Sequence, residues 1–256
     1  MIDIPFNIPN ISCEAIESPA RTRIGWLRSV SNIQHAFAIG SMVDEIATYR
    51  KVDPVKNLLE LLGPDRMIPF GEYVKGFENY GEPLDKFPGD TSRLRGVIEL
   101  VAEKSGWGKS LPKGHGMGIC AHKSFLTYVA CVVHVAFDDA GKMSIPEVHF
   151  AVDCGQVVNR NSVIQQFEGG LCFALGGAIK GDISFKEGRS NKPILTSTEV
   201  SRMKNAPVET HIHLVESEIK PTGVGEPPVP PVAPALANAI FAATGKRYRD
   251  MPMKFS

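Results

Sequence analysis

The chain has 256 residues, 43% of them hydrophobic and 22% charged, and its 28 basic and 28 acidic side chains cancel. This is the composition of a globular protein with a core of its own, and it excludes binding to nucleic acid or an anionic membrane through excess positive charge. The five cysteines are odd in number and form no CxxC pair, so they fit neither a disulfide framework nor a zinc or iron–sulfur site.

The first part of the chain, 1–112, is predicted to contain an extended opening followed by helices. Ile2 to Ile16 reads as extended chain that joins a sheet begun elsewhere. Three later segments combine a capping residue with apolar side chains at helical spacing. These predicted helices start at Ser31 or Asn32, run from Pro54 to Leu62 behind the cap Asp53, and run from Arg93 to Ser105 behind Thr91 or Ser92. Gly63 to Asp90 has no sustained period, which predicts a long surface loop.

Arg28 is a candidate binding residue because it lies in the loop before the first predicted helix. An arginine in such a loop can bind a phosphate or a substrate carbonyl. A single arginine in a loop is more often a solvated surface charge. The spacing of Arg28 in the sequence, taken alone, favours that role.

The second part, 113–256, is predicted to be rich in β-structure and to end in a helix. The predicted strands are Tyr128–Phe137, Ile145–Val152, Ile179–Phe185 and Val208–Val215. A hairpin turn at 138–142 joins the first two strands, and the glycines of 114–118 precede a strand and so form no dinucleotide-binding fingerprint. We therefore predict an α+β fold in which mixed β-sheets are flanked by helices.

A run of small residues from Gln165 to Ala178 is predicted to be helical. Each glycine in a helix costs about 1 kcal/mol relative to alanine, so their density indicates that something lies close to the backbone. That neighbour is either another helix or a flat ligand, and the sequence supports both equally. Gln166 and Glu168 could hydrogen-bond such a ligand.

Two histidines, His211 and His213, lie on the same face of the last predicted strand and could bind a metal ion. The sequence offers no third ligand at a suitable spacing. Exposure of both side chains to solvent is therefore the favoured interpretation.

Residues 222–245 combine a glycine loop, one carboxylate, a proline run and an alanine-rich helix that ends at Gly245. Proline suits the first turn of a helix, so Glu226 is predicted at or just before a helix N-terminus. A carboxylate there commonly complements the positive end of the helix. The alternative is a chemical role, because almost no other polar side chain lies in this segment.

Four motifs together carry a family resemblance, and they are Trp26–Val30 with Gln34–Phe37, Phe150–Gly155 with Val158-Asn159, Gln166–Gly170, and Gly223–Pro227. They resemble the C-terminal half of the molybdopterin-binding large subunit of the xanthine dehydrogenase family. The branch they resemble most is that of the isoquinoline 1-oxidoreductase beta-subunit and aldehyde dehydrogenase. The resemblance runs over nearly the whole chain, and its last two motifs are specific in combination.

The resemblance implies a molybdenum hydroxylase, an oxidoreductase that hydroxylates an aldehyde or an N-heterocyclic carbon with oxygen from water. It implies a molybdenum ion held by molybdopterin, in its cytosine dinucleotide form, and no metal ligand from the protein. Glu226 matches the family's glutamate base. Residues that match the surroundings of the cofactor are Arg28, Gln34, Gln166, Gly169 and Gly225. The segment 113–256 is then the molybdopterin-binding domain.

The resemblance also implies partners. The family's large subunit has an N-terminal half with glycine-rich loops that this sequence lacks, and electrons leave it through a small [2Fe–2S] subunit to an acceptor such as cytochrome c. The chain is therefore interpreted as one piece of a subunit that needs its other half, with an inactive remnant serving as a scaffold as the alternative. The sequence shows no membrane span and no signal peptide, so we expect a cytoplasmic protein unless a partner directs its export.

Overall fold

The computed structural model describes residues 3–14, 16–19 and 22–255. Its helices are α1 (Asn32–Arg50), α2 (Pro54–Leu62), α3 (Phe70–Tyr73), α4 (Thr91–Ser105), α5 (Arg160–Lys180) and α6 (Val232–Thr244). Its strands are β1 (Met67–Ile68), β2 (Gly89–Asp90), β3 (His115–Ser124), β4 (Thr127–Phe137), β5 (Met143–Asp153), β6 (Phe185–Lys186), β7 (Arg189–Ser190) and β8 (Glu209–Leu214). Among the helices in these described ranges, none is long and apolar enough to cross a membrane.

The central element is a four-stranded mixed sheet with the order β3-β4-β5-β8. Strands β3, β4 and β5 follow one another as antiparallel neighbours, whereas β8 pairs with β5 in parallel. The residues of β4 from Thr127 to Val135 are all buried, so this strand has no solvent-facing side. Burial on both faces requires a layer of helices on each side of the sheet.

The helices supply these two layers. On one face, α5 and α6 contribute Phe167, Leu171 and Leu236 to a core cluster that includes Phe150 of the sheet. On the other face, α2 and α4 cover a second cluster. Helix α1 contacts β3, α2 and α6 and contributes to both clusters. The α+β prediction of a mixed sheet flanked by helices is therefore confirmed. The predicted division at 112/113 stays a prediction, although both cores draw residues from both sides of it.

Helix α6 lies against β3 at a distance that only glycine permits. A Cβ atom on Gly118 would collide with the backbone of Ala235 and Ala239, and one on Gly116 would collide with the backbone of Ala239 and Ala243. The alanines of α6 are the matching feature on the helix, since their small side chains let the two backbones approach. This contact orders the segment that follows Glu226.

Several local predictions are confirmed. The N-cap Asp53 accepts a hydrogen bond from the amide of Lys56 at 3.0 Å, and Pro54 begins α2. Gly106 caps the C-terminus of α4 and Gly245 that of α6, each with left-handed backbone. These signals are local, so sequence was sufficient to find them.

Other predictions are wrong. The N-cap of α4 is Asp90, which accepts from the amide of Ser92 at 2.8 Å. The predicted strand 179–185 begins inside α5, which continues to Lys180. The loop predicted at 63–90 contains the short elements β1, α3 and β2. Ile2 and Ala15 of the predicted extended opening lie outside the described residues, and the described part of that opening carries no strand.

Candidate functional site

The connection that leads to Glu226 is fixed to one end of the sheet. Thr127, the first residue of β4, donates its hydroxyl to the carbonyl oxygen of Gly223 at 2.6 Å. The amide of Thr222 donates to the carbonyl oxygen of Cys154 at 2.9 Å, directly after β5. Gly155 has positive φ and lies so close to this connection that a Cβ atom there would collide with the carbonyl groups of residues 219 and 220. The sheet therefore determines where the glycine loop runs.

Asp153 in the second motif has a structural contact. Its carboxylate accepts two hydrogen bonds from Arg93 of α4, at 2.7 and 2.6 Å, and both side chains are largely buried. The same carboxylate accepts from the amide of Gly155 at 3.1 Å. Asp153 thus fixes the turn on which the Glu226 connection lies.

Glu226 is half-buried and makes two contacts with Ser29. Its Oε1 accepts a hydrogen bond from the amide of Ser29 at 3.0 Å, and its carbonyl oxygen accepts from the Ser29 hydroxyl at 2.6 Å. The predicted position at or just before a helix N-terminus is wrong, because α6 begins only at Val232 and the turn 227–231 intervenes. Glu226 is therefore not the capping carboxylate of α6.

Arg28 is half-buried and joins the Glu226 connection to α5. Its Nε donates to the carbonyl oxygen of Gly225 at 2.7 Å, and its Nη2 lies 3.2 and 3.1 Å from the carbonyl and side-chain oxygens of Gln166. Burial lowers the pKa of the guanidinium, and the nearby Glu226 carboxylate opposes that change. Arg28 is consequently not the solvated loop charge that its spacing alone favoured.

The loop after Arg28 has an unusual backbone. Ser29 has φ of 74° and Val30 has φ of 51°, both in the left-handed region. Such backbone costs a non-glycine residue on the order of 1–3 kcal/mol, and it is rarest for β-branched residues such as valine. Ser29 is also fully buried. Sequence reasoning missed its contact with Glu226, and the only signal was its position next to Arg28 in the first motif.

Of the six predicted site residues, hydrogen bonds bring four together, and these are Arg28, Gln166, Gly225 and, through Ser29, Glu226. Gly169 is exposed on α5, and nothing lies within 4 Å of where its Cβ atom would stand. Gln34 is exposed on the first turn of α1, and within the described part of the chain no hydrogen bond joins it to the other five. Its role stays a prediction.

Helix α1 is tied to β3 next to this loop. The Nε2 atom of His122 lies 3.0 Å from Oδ1 of Asn32, the first residue of the helix. Burial lowers the pKa of His122 to about 4. The imidazole is therefore neutral at neutral pH, and the contact with Asn32 is one between neutral groups.

The histidines of β8 lie beside His149 of β5. His149 stacks on His211 with 4.6 Å between ring centroids, and its Nδ1 lies 3.3 Å from Nε2 of His213. Within residues 3–14, 16–19 and 22–255, no three His, Cys, Asp or Glu side chains are arranged to hold a metal ion. His211 is partly exposed, in keeping with the favoured interpretation, whereas His149 is buried.

Comparison with known proteins finds similarity over nearly the whole chain. A family model described as a molybdopterin cofactor-binding domain matches residues 96–207. The membrane-bound aldehyde dehydrogenase (pyrroloquinoline-quinone) of Gluconacetobacter polyoxogenes is 33% identical over an alignment of 239 residues that covers 91% of this chain and 29% of that protein.

Two further relatives are components of oxidoreductases. A nicotinate dehydrogenase subunit of Pseudomonas putida is 28% identical over 97% of this chain and 20% of its own length. The beta-subunit of isoquinoline 1-oxidoreductase of Brevundimonas diminuta is 26% identical over 98% of this chain and 29% of its own length. The chain thus spans less than a third of the length of these curated relatives.

Proposed function

Because the chain belongs to the molybdopterin-binding xanthine dehydrogenase family, we propose that it is the C-terminal, cofactor-facing part of a molybdenum hydroxylase. The enzyme would hydroxylate an aldehyde or an N-heterocyclic carbon with oxygen from water. The observation that carries the proposal is the set of hydrogen bonds that holds the Glu226 carboxylate beside the Arg28 guanidinium at one end of the sheet.

The side chains around Glu226 fit an anionic cofactor with many hydrogen-bonding groups. Arg28 Nη1 and Gln166 Nε2 have no hydrogen-bond partner among the residues described, so each can donate to a phosphate or a pterin ring. No atom lies within 4 Å of the Cβ position of Gly169, so a flat group can approach the backbone of α5 there. Arg28, Gln166 and Gly169 would hold the cofactor, which we propose to be the cytosine dinucleotide form of molybdopterin.

The role proposed for Glu226 is that of general base. Bound molybdopterin would supply the two-electron oxidation through its molybdenum. Glu226 Oε1 is held by Ser29, whereas Oε2 receives no hydrogen bond from any described residue and is free to accept a proton. The chain's own residues therefore hold the carboxylate and leave one of its oxygens available.

The proposed enzyme needs further parts. The chain covers 20–29% of its curated relatives, so we propose that the rest of the large subunit closes the site from the other side. Of the five cysteines, Cys120, Cys131 and Cys154 are buried and unpaired. We therefore propose that electrons leave through a separate [2Fe–2S] subunit, with an acceptor such as cytochrome c beyond it.

The test is co-expression of the chain with the remainder of a large subunit and a [2Fe–2S] subunit. We expect a complex that contains molybdenum and pterin and that oxidises an aldehyde or an N-heterocycle. In this complex Glu226→Gln should lower turnover by about 10²–10⁴-fold, the usual contribution of a general base, while the molybdenum content stays unchanged. Turnover and metal content are measured on the same preparation.

Glu218→Gln is the matched control, because Glu218 is an exposed carboxylate in the same connection. It should leave turnover and molybdenum content as they are. Full turnover in Glu226→Gln would rule out the general base, and a complete complex without molybdenum would rule out the enzyme and favour the scaffold.

A further inference from the structure

The Ser29 side chain and backbone hold Glu226 at two separate points. The amide of Ser29 donates to Oε1 of the carboxylate at 3.0 Å, and the hydroxyl donates to the main-chain carbonyl of Glu226 at 2.6 Å. One bond orients the carboxylate and the other fixes the backbone that carries it. Ser29 is completely buried, so its end of both bonds is shielded from water.

The amide of Ser29 reaches Oε1 from an unfavourable backbone conformation. Ser29 and Val30 both have positive φ, and neither is glycine. The turn is closed by a hydrogen bond of 2.8 Å from the amide of Val30 to the carbonyl oxygen of Leu27. Strained backbone of this kind persists only where surrounding contacts enforce it, and it is concentrated at functional sites.

The neighbouring Arg28 reinforces the same alignment. It donates to the carbonyl oxygen of Gly225 at 2.7 Å. Together with the two bonds of Ser29, three hydrogen bonds join residues 28–29 to residues 225–226. Oε2 of Glu226 receives none of them. The carboxylate is thus held through one oxygen while the other remains available.

We propose that Ser29 is a positioning residue that orients the Glu226 carboxylate, with its left-handed amide holding Oε1 and its hydroxyl holding the main chain. This inference rests on the proposed role of Glu226 as general base. Ser29 itself need not touch the substrate or the cofactor. It determines which oxygen of Glu226 faces the reaction and how far that oxygen can move.

Two substitutions separate the contributions of the amide and the hydroxyl. Ser29→Gly removes the hydroxyl but keeps an amide in a residue that adopts positive φ without strain. Ser29→Ala removes the hydroxyl and keeps the Cβ atom, so the left-handed backbone stays as unfavourable as it is for serine and loses the contact that helps to enforce it. Ser31→Ala is the control, because Ser31 is the nearest serine and its side chain makes no capping hydrogen bond.

The first measurement needs neither cofactor nor turnover. In the chain labelled with [¹⁵N]serine, the Ser29 amide resonance is identified by its loss in Ser29→Gly. We expect its proton shift to follow the protonation of Glu226 as the pH is lowered, and this response to disappear in Glu226→Gln. If the proton shift of the Ser29 amide does not change with pH, or changes equally in Glu226→Gln, the inference is overturned.

The second measurement uses the assembled enzyme. Ser29→Ala should lower kcat about tenfold with KM within about twofold of the wild type, since misplacing a catalytic group costs rate more than binding. Ser29→Gly should recover part of that loss, and Ser31→Ala should match the wild type. A role limited to stability would lower Tm without changing kcat, so wild-type kcat in Ser29→Ala would overturn the inference. If no complex turns over, the proposed function fails, and the amide measurement still decides whether Ser29 holds Glu226.

Discussion

At the scale of single residues, Arg28 makes contacts that lysine cannot reproduce. Two of its nitrogens point in different directions, one to Gly225 and the other to Gln166. The planar guanidinium holds these directions rigidly, whereas an ammonium is a single charge on a flexible stem. Arg28 therefore fixes the distance between the Glu226 connection and α5.

Arg28→Lys should weaken cofactor binding even though the charge is kept. We expect about tenfold lower affinity, which corresponds to the loss of about one charge-assisted hydrogen bond. Pterin and molybdenum content after dilution or dialysis measures the change. Arg23→Lys is the control, because Arg23 is exposed on the preceding segment. Equal cofactor retention in the two variants would contradict a role for the guanidinium geometry.

At the scale of secondary-structure elements, helix α6 and strand β3 approach each other so closely that glycine is required on the strand. Gly118 faces the backbone of Ala235 and Ala239, and these atoms cannot move aside as a flexible side chain would. An added methyl group must therefore displace the helix or bend the strand. Either movement would reach the Glu226 connection, which leads directly into α6.

Gly118→Ala should lower the free energy of unfolding by about 3 kcal/mol, the upper range for overpacking a core. Urea unfolding followed by circular dichroism measures the loss. Gly96→Ala is the matched control, because Gly96 is exposed within α4 and nothing lies within 4 Å of its Cβ position. That variant should gain about 1 kcal/mol from helix propensity. A Gly118→Ala protein that unfolds at the wild-type urea concentration would show that the contact is less tight than described.

At the scale of the whole molecule, buried and half-buried histidines make stability depend on pH. Burial lowers the pKa of His122 to about 4 and lowers the pKa of His134, His149 and His213 as well. In an unfolded chain each would titrate near 6.5. As the pH falls below that value the unfolded state takes up protons first, so the folded state loses stability. Full stability is reached above about pH 6.5, and the His122 contribution is lost between there and about pH 4.

We expect Tm to fall from pH 7 to pH 5, and His122→Gln to make this fall shallower. Glutamine keeps a polar group that can face Asn32 but cannot bind a proton in this range. Thermal unfolding at closely spaced pH values measures the slope. A His122→Gln variant with the wild-type slope would exclude His122 as a source of the pH dependence.

Much of the fold could be predicted because its signals are local. Asp53-Pro54 and Gly106 mark helix ends within a few residues of the helices they bound. The hairpin between β4 and β5 follows from two strand-like runs and a short turn. Family motifs, and not periodicity, are the basis on which Arg28, Gln166 and Glu226 are predicted as site residues.

The remaining features join parts of the chain that are far apart in sequence. The parallel pairing of β5 with β8 crosses the whole of α5, and no turn signal announces it. Ser29 meets Glu226 across 197 positions. Its positive φ could not be predicted either, because serine, unlike glycine, gives no sign that a left-handed conformation is required.

The long separation between Ser29 and Glu226 has a consequence for how the molecule folds. Closing a loop of that length costs more chain entropy than closing the β3–β4–β5 meander, whose strands are neighbours in sequence. We therefore expect the meander to pair before Glu226 meets Ser29. The contact between Ser29 and Glu226 would then form late in folding, in a chain whose central sheet is already in place.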